Sequence, residues 1–337
     1  MKAVLPLPIL LIGFGPVAQR YETVLRSRRE EFRRRYGVDP RVVAIRGRRS
    51  QVVVPGGEPP PARCRWSPRT PIEELLSEVA PAIVAQAVPS DPAGTAEALA
   101  DGRAALAAGA HLVTATKSPL LSGWSELHRV ACEYGRGIRI SGATGAALPA
   151  GEFARAGLRG FEVDTVQGCM NGTANFVLDR LGEGMPLAAA VEVARDRGIA
   201  EADHTADLSG ADAATKVRLL TGLLWGWDVG ACTVDTEAVT ADTARRAVNA
   251  AGRGAVLRQV ASARAGEPGR VVVTLAEFRR TESPFGVLTG PEKAVRFDCG
   301  EAGDLSIVSG RSSPLGAALA MVKDTLSLAV DPAPGLA

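Results

Sequence analysis

An apolar stretch ending in Ile12 runs directly into GFGPVA at residues 13–18, and that junction limits the possible folds more than any other feature of the chain. Gly13, Gly15 and Ala18 match the G-x-G-x-x-G/A spacing of a dinucleotide-binding turn. The first position needs glycine for a tight turn, and the second lets backbone approach a pyrophosphate. The third needs a small side chain so that helix and strand pack closely, and the amides opening the helix then face the anion. A glycine turn without a ligand fits the same letters, since glycine is abundant at 37 residues. Placement favours the nucleotide: the turn closes a strand, opens a helix expected to run to about Tyr36, and leads to a second strand, RVVAI.

Further strands and helices alternate in PAIVAQAVPSD, TAEALADGRAALAAGA and HLVTATKSPL, which predicts an α/β fold with a mostly parallel, doubly wound sheet. Lys117 follows the strand HLVTA, at the carboxyl edge where such sheets bind ligands. The second strand ends in RGRRS, where an NAD-preferring protein usually carries an acid for the ribose hydroxyls. Arg46, Arg48 and Arg49 suit a 2′-phosphate instead, so NADP is expected, with NAD and a merely solvated basic turn as open alternatives.

A second informative segment is GIAEADHTADLSGADAATKVRLL. A helix from about Ala211 brings Asp212 and Lys216 onto one side, about 40° apart. Leu219 and Leu223 share their stripe, and Thr215, Arg218 and Thr221 mark the other, polar side. The pair thus continues a buried stripe, and burying two charges is costly unless a polar group shares the space. Both a polar cleft and a purely structural ion pair remain open, and the cleft is favoured by placement.

The 337 residues suffice for two domains with cores, and a net charge of +2 gives no bulk attraction for nucleic acid. The basic run RSRREEFRRRYG reads as the outer face of a helix, interrupted by Glu30 and Glu31. No nucleic-acid partner is expected on this charge balance, and no membrane partner, since no apolar run approaches the roughly 20 residues that span a bilayer. Five cysteines lie far apart with no CxxC, which implies neither a disulfide framework nor a zinc site and fits the cytoplasm. The opening MKAVLPLPILLIGFG reads as a buried strand rather than a signal peptide, since it holds two prolines and runs into the glycine turn.

In order, GFGPVA, AGAHLVTATKSPL, GCMNGTANFVLDRLGEG, GIAEADHTADLSGADAATK, SPFGVLTGPEKAV and GRSSPLGAALAMVKDTL resemble the homoserine dehydrogenase family over nearly the whole chain. The resemblance implies a Rossmann domain over residues 1–140 and an α+β substrate and dimerisation domain over 141–308. A C-terminal helix within 309–337 would return to the first domain. It also implies interconversion of L-aspartate 4-semialdehyde and L-homoserine in threonine and methionine biosynthesis, a nicotinamide cofactor that is often NADPH, and a homodimer. Many members carry a C-terminal regulatory ACT domain, for which this sequence has no room, so feedback through one is not expected.

Carried over by motif, Lys117 and Lys216 serve the reacting end of the substrate and Asp212 orients substrate and lysine. Glu201, Asp207, Asn171 and Thr173 bind the amino-acid end, although an Asn-Gly turn explains the last two equally well. Gly13, Gly15, Val17, Ala18, Pro89 and Lys117, with the three arginines, hold the cofactor. Departures from the pattern fall in SGATGAALP, where Ser141 replaces a glutamate that helps hold a monovalent cation, in Thr116, and in GRSSPLG. A neutral hydroxyl is a poor substitute for that carboxylate, so no metal is assigned. Two other readings stay open: a related enzyme acting on another small amino acid or semialdehyde, and a non-catalytic nucleotide-binding homologue.

Overall fold

The computed structural model describes residues 4–200 and 203–336. They form two compact units, one built from the residues up to Ala146 together with those from Ser313 onward, the other from Ala147–Ser312.

The first unit begins β1 (Leu5–Ile12), α1 (Pro16–Ser27), α2 (Arg29–Tyr36), β2 (Val38–Arg46), β3 (Ser50–Val53) and β4 (Ser67–Pro68). It continues α3 (Ile72–Val79), β5 (Ile83–Gln86), α4 (Pro92–Ala107), β6 (His111–Thr114), α5 (Ser118–Glu133), β7 (Ile138–Arg139) and α6 (Ser141–Thr144). The sheet order is β4-β3-β2-β1-β5-β6-β7, parallel from β2 to β7, with β3 and β4 antiparallel. Ile9, Leu11, Ile83, Ala85 and Val113 are fully buried because helices cover both faces, which is why these strands read as apolar runs. The chain leaves β1 for β2 on one side and reaches β5 on the other, so the carboxyl ends of β1 and β5 flank the crevice typical of a Rossmann sheet.

Two helices, rather than one reaching Tyr36, separate the first strands: the chain breaks at Arg28, with φ −107° and ψ 13°. The break turns Phe32 into the core, at 1% exposure, while the basic run faces outward with Arg28–Glu31 at 2.8 Å and Arg33–Glu30 at 2.9 Å.

The second unit contains α7 (Ala150–Glu152), β8 (Thr165–Cys169), α8 (Gly172–Gly182), α9 (Leu187–Asp196), α10 (Thr205–Leu208), α11 (Ala211–Trp225) and β9 (Thr233–Thr236). After these come α12 (Thr243–Gly252), β10 (Ala255–Arg264), β11 (Arg270–Arg279), β12 (Glu292–Asp298) and β13 (Asp304–Arg311). The sheet order is β13-β12-β8-β10-β11-β9, antiparallel except for β9 on β11. Ala213, Val217 and Leu220 of α11 pack on Val166, Ala261, Val273 and Val295. A buried ion pair, Arg258–Asp179 at 2.7 Å, fastens α8 to the same sheet. The chain then returns to the first unit as α13 (Pro314–Val330), where Thr325 Oγ1 lies 2.6 Å from the hydroxyl of Tyr21 on α1.

Candidate active site

In the second unit, β8 ends at Cys169 and the chain turns through Met170 and Asn171 into α8. Asn171 caps that helix, its Oδ1 accepting from Ala174 N–H at 2.9 Å. Its Nδ2 donates to Asp207 Oδ1 at 2.6 Å and to Asp212 Oδ2 at 2.9 Å. Lys216 Nζ donates to that same Asp212 oxygen at 2.6 Å and to Met170 O at 2.8 Å. Lysine and aspartate are only 12% and 13% exposed, so the pair is held in a partly dry polar recess rather than on a surface. The one-turn spacing in α11 that placed the two charges together is therefore realised, and Asn171 joins both acids to the lysine.

Gly210 starts α11 in the left-handed region, at φ +86°, where its missing side chain leaves room for Val273 and Gln259. Gln259 Nε2 donates to Leu208 O at 3.2 Å and Glu237 O at 2.9 Å, which fixes the segment carrying Asp207. Thr173 is buried and its hydroxyl donates to Ile199 O at 3.2 Å, a tie between α8 and the turn that follows α9. Glu201 lies outside the described residues. Burial pushes the neighbouring Cys169 thiol up to about 11, and it donates to Asn175 Oδ1 at 2.9 Å, so it is a structural thiol rather than a nucleophile. The polar side expected for α11 is not polar throughout: Thr221 is fully buried, its hydroxyl satisfied by Arg218 O at 2.8 Å.

In the first unit, Gly13 has φ +93°, and a Cβ there would lie 2.3 Å from Ala87 O. Around Gly15 a Cβ would meet nothing within 4 Å, an open cradle at the start of α1. Ala18 is fully buried against the sheet. Helix α1 has no side-chain cap and no acid in its first turn, so its leading amides, with Val17 among them, suit an anion. Thr116 Oγ1 donates to Val88 O at 3.1 Å, and Lys117 N–H donates to Ser90 Oγ at 2.8 Å. These bonds hold Lys117 beside the segment that carries Pro89, at the carboxyl edge next to Gly13. The residues present fit a dinucleotide.

Arg46 requires a correction. Its register partner on β3 is Gln51, and its guanidinium turns inward to Gln51 Oε1 at 3.2 Å and Thr70 O at 2.7 Å. At 6% exposure it is structural, and it faces buried Asp101, whose carboxyl is pushed up to about 6 by burial against the opposing pull of Arg46. Arg48 and Arg49 remain exposed. Sequence reasoning missed Arg63, which lies in a proline-rich segment without periodicity. Its guanidinium sits 5.5 Å from the ring of Phe14 and 5.9 Å from that of Trp66, and it donates to Phe14 O within the glycine turn.

At Ser141 the residues do not fit a monovalent cation. Ser141 Oγ accepts from Lys323 Nζ at 2.7 Å, and its N–H donates to fully buried Asp324 at 2.8 Å. A cation bound there would meet the Lys323 ammonium, which already occupies the Ser141 hydroxyl and the Asp324 carboxylate.

Comparison with known proteins identifies the family. The Homoserine dehydrogenase family model matches residues 149–326. Homoserine dehydrogenase of Methanocaldococcus jannaschii is 25% identical, covering 95% of this chain and 98% of that protein. The NAD(+)-dependent homoserine dehydrogenase of Pseudomonas canavaninivorans is 33% identical over 44% of this chain and 42% of its own. Among solved structures, a putative homoserine dehydrogenase from Archaeoglobus fulgidus superposes with a TM-score of 0.81 at 24% identity, covering 96% of this chain and 99% of that one. A hyperthermophilic archaeal homoserine dehydrogenase in complex with NADPH gives 0.81 at 21% identity, covering 99% and 100%. With a family match that takes in the Asn171–Lys216 network and more than half of its length, the chain belongs to the homoserine dehydrogenase family of NAD(P)-dependent oxidoreductases.

Proposed function

We propose that the protein interconverts L-aspartate 4-semialdehyde and L-homoserine with NADP as its preferred cofactor. The observation that carries this reading is the Asn171–Asp207–Asp212–Lys216 network, which joins acids suited to an amino-acid ammonium with a lysine suited to a carbonyl oxygen. The nicotinamide, when bound, supplies or accepts the hydride. Lys216 has three N–H donors, of which two are committed to Met170 O and Asp212. The third serves the substrate oxygen, stabilising the charge that grows on it during reduction and giving it a proton. Asp212 holds the ammonium in place. Asp207, Asn171 and Glu201 receive the amino-acid end, Thr173 supports them from behind, and Lys117 is the second cation assigned to the chemical step.

The test is purified protein with L-homoserine and NADP or NAD, followed by nicotinamide absorbance and extended to a panel of hydroxy amino acids. Homoserine is expected to be the fastest substrate. A faster response to another member, which the altered Ser141–Pro149 segment makes the main competing reading, would move the assignment to that substrate. Nucleotide binding with no turnover on any member would favour a non-catalytic homologue. The same family reading supports a cytoplasmic homodimer in threonine and methionine biosynthesis, consistent with five free cysteines.

NADP preference is assigned to Arg63, Arg48 and Arg49. Arg63→Glu is expected to weaken NADPH binding roughly 10- to 100-fold while changing NADH much less, as loss of a charge-assisted contact to the 2′-phosphate requires. Equal weakening of both nucleotides in a titration would assign Arg63 to their shared part instead.

A further inference from the structure

We infer that this chain carries its own ammonium group, that of Lys323, in place of a monovalent cation at Ser141. At Ser141, Lys323 Nζ bridges the hydroxyl at 2.7 Å and the buried Asp324 carboxylate at 3.0 Å. The carboxylate in turn receives Ser141 N–H, so one oxygen set of hydroxyl and carboxylate is already filled by a positive charge from α13.

An ammonium seeks the same oxygen acceptors that an alkali cation needs. The two compete for the same groups, and a covalently attached ammonium is always present.

The test is thermal unfolding of the purified protein in sodium, potassium, lithium and choline chloride at equal ionic strength. It does not depend on the proposed activity. The wild-type midpoints should agree to about 1 °C, whereas a bound ion would raise the midpoint with its own salt by linkage. A midpoint several degrees higher in sodium or potassium than in choline would overturn the inference. Lys323→Met should unfold earlier and regain part of the loss in sodium or potassium but not in choline, because the vacated Ser141 and Asp324 oxygens then accept the ion. A Lys323→Met protein as stable as wild type and indifferent to the salt would also overturn it. Where that variant does not fold, the wild-type series decides alone.

Discussion

Lys216→Ala should lower turnover with homoserine by roughly 100- to 1,000-fold while changing the Michaelis constant much less. The asymmetry follows from where the lysine's charge is needed. The substrate oxygen gains negative charge only as hydride moves, so an ammonium placed there stabilises the transition state more than the ground state. Asp212→Asn should act in the same direction, because the 2.6 Å contact that fixes Nζ is lost. Glu201→Gln should instead act mainly on the Michaelis constant, since the substrate ammonium is charged throughout the reaction. Steady-state kinetics on the three variants checks the pattern, and near-normal turnover in Lys216→Ala would return the Asp212–Lys216 pair to a structural role.

Gly13→Ala should destabilise the protein by about 2–5 kcal/mol and abolish measurable nucleotide binding. The positive φ costs a side-chain-bearing residue about 1–2 kcal/mol, and overpacking adds about 1–3. The overpacking is specific: the new methyl would lie 2.3 Å from Ala87 O, on the strand end opposite the turn. Either the turn opens or β5 shifts, and both spoil the crevice beside Lys117. Chemical denaturation with a nucleotide titration measures both effects. Gly15→Ala gives the contrast, since a Cβ there is unobstructed in the free protein and would interfere only with a ligand.

The glycine turn and the charged pair were legible because each rests on local geometry. A tight turn demands particular residues, and 3.6-residue periodicity puts positions 212 and 216 together whatever surrounds them. Arg46 was misread because its fate depends on a neighbour in space: only the β3 hairpin, with Gln51 opposite it, turns the guanidinium inward. Arg63 was invisible for a related reason, as nothing in PGGEPPPARCRWSPR announces that the segment folds back over Phe14. The break at Arg28 and the burial of Thr221 are likewise set by packing around the helices, not by their own sequence. The Lys323–Ser141 contact joins residues 182 positions apart, and a substitution at Ser141 alone hints at a lost carboxylate but not at its replacement.

The central claim, that this chain moves a hydride between a nicotinamide and the C4 carbon of an amino-acid semialdehyde, is tested most directly by isotope transfer. L-aspartate 4-semialdehyde is incubated with the protein and NADPH carrying deuterium at both C4 positions, and the product is read by mass spectrometry. Homoserine with one deuterium, formed as NADPH absorbance falls and much more slowly with Lys216→Ala, is the predicted result. Unlabelled homoserine, or semialdehyde and NADPH left intact by protein that binds the nucleotide, would contradict the account.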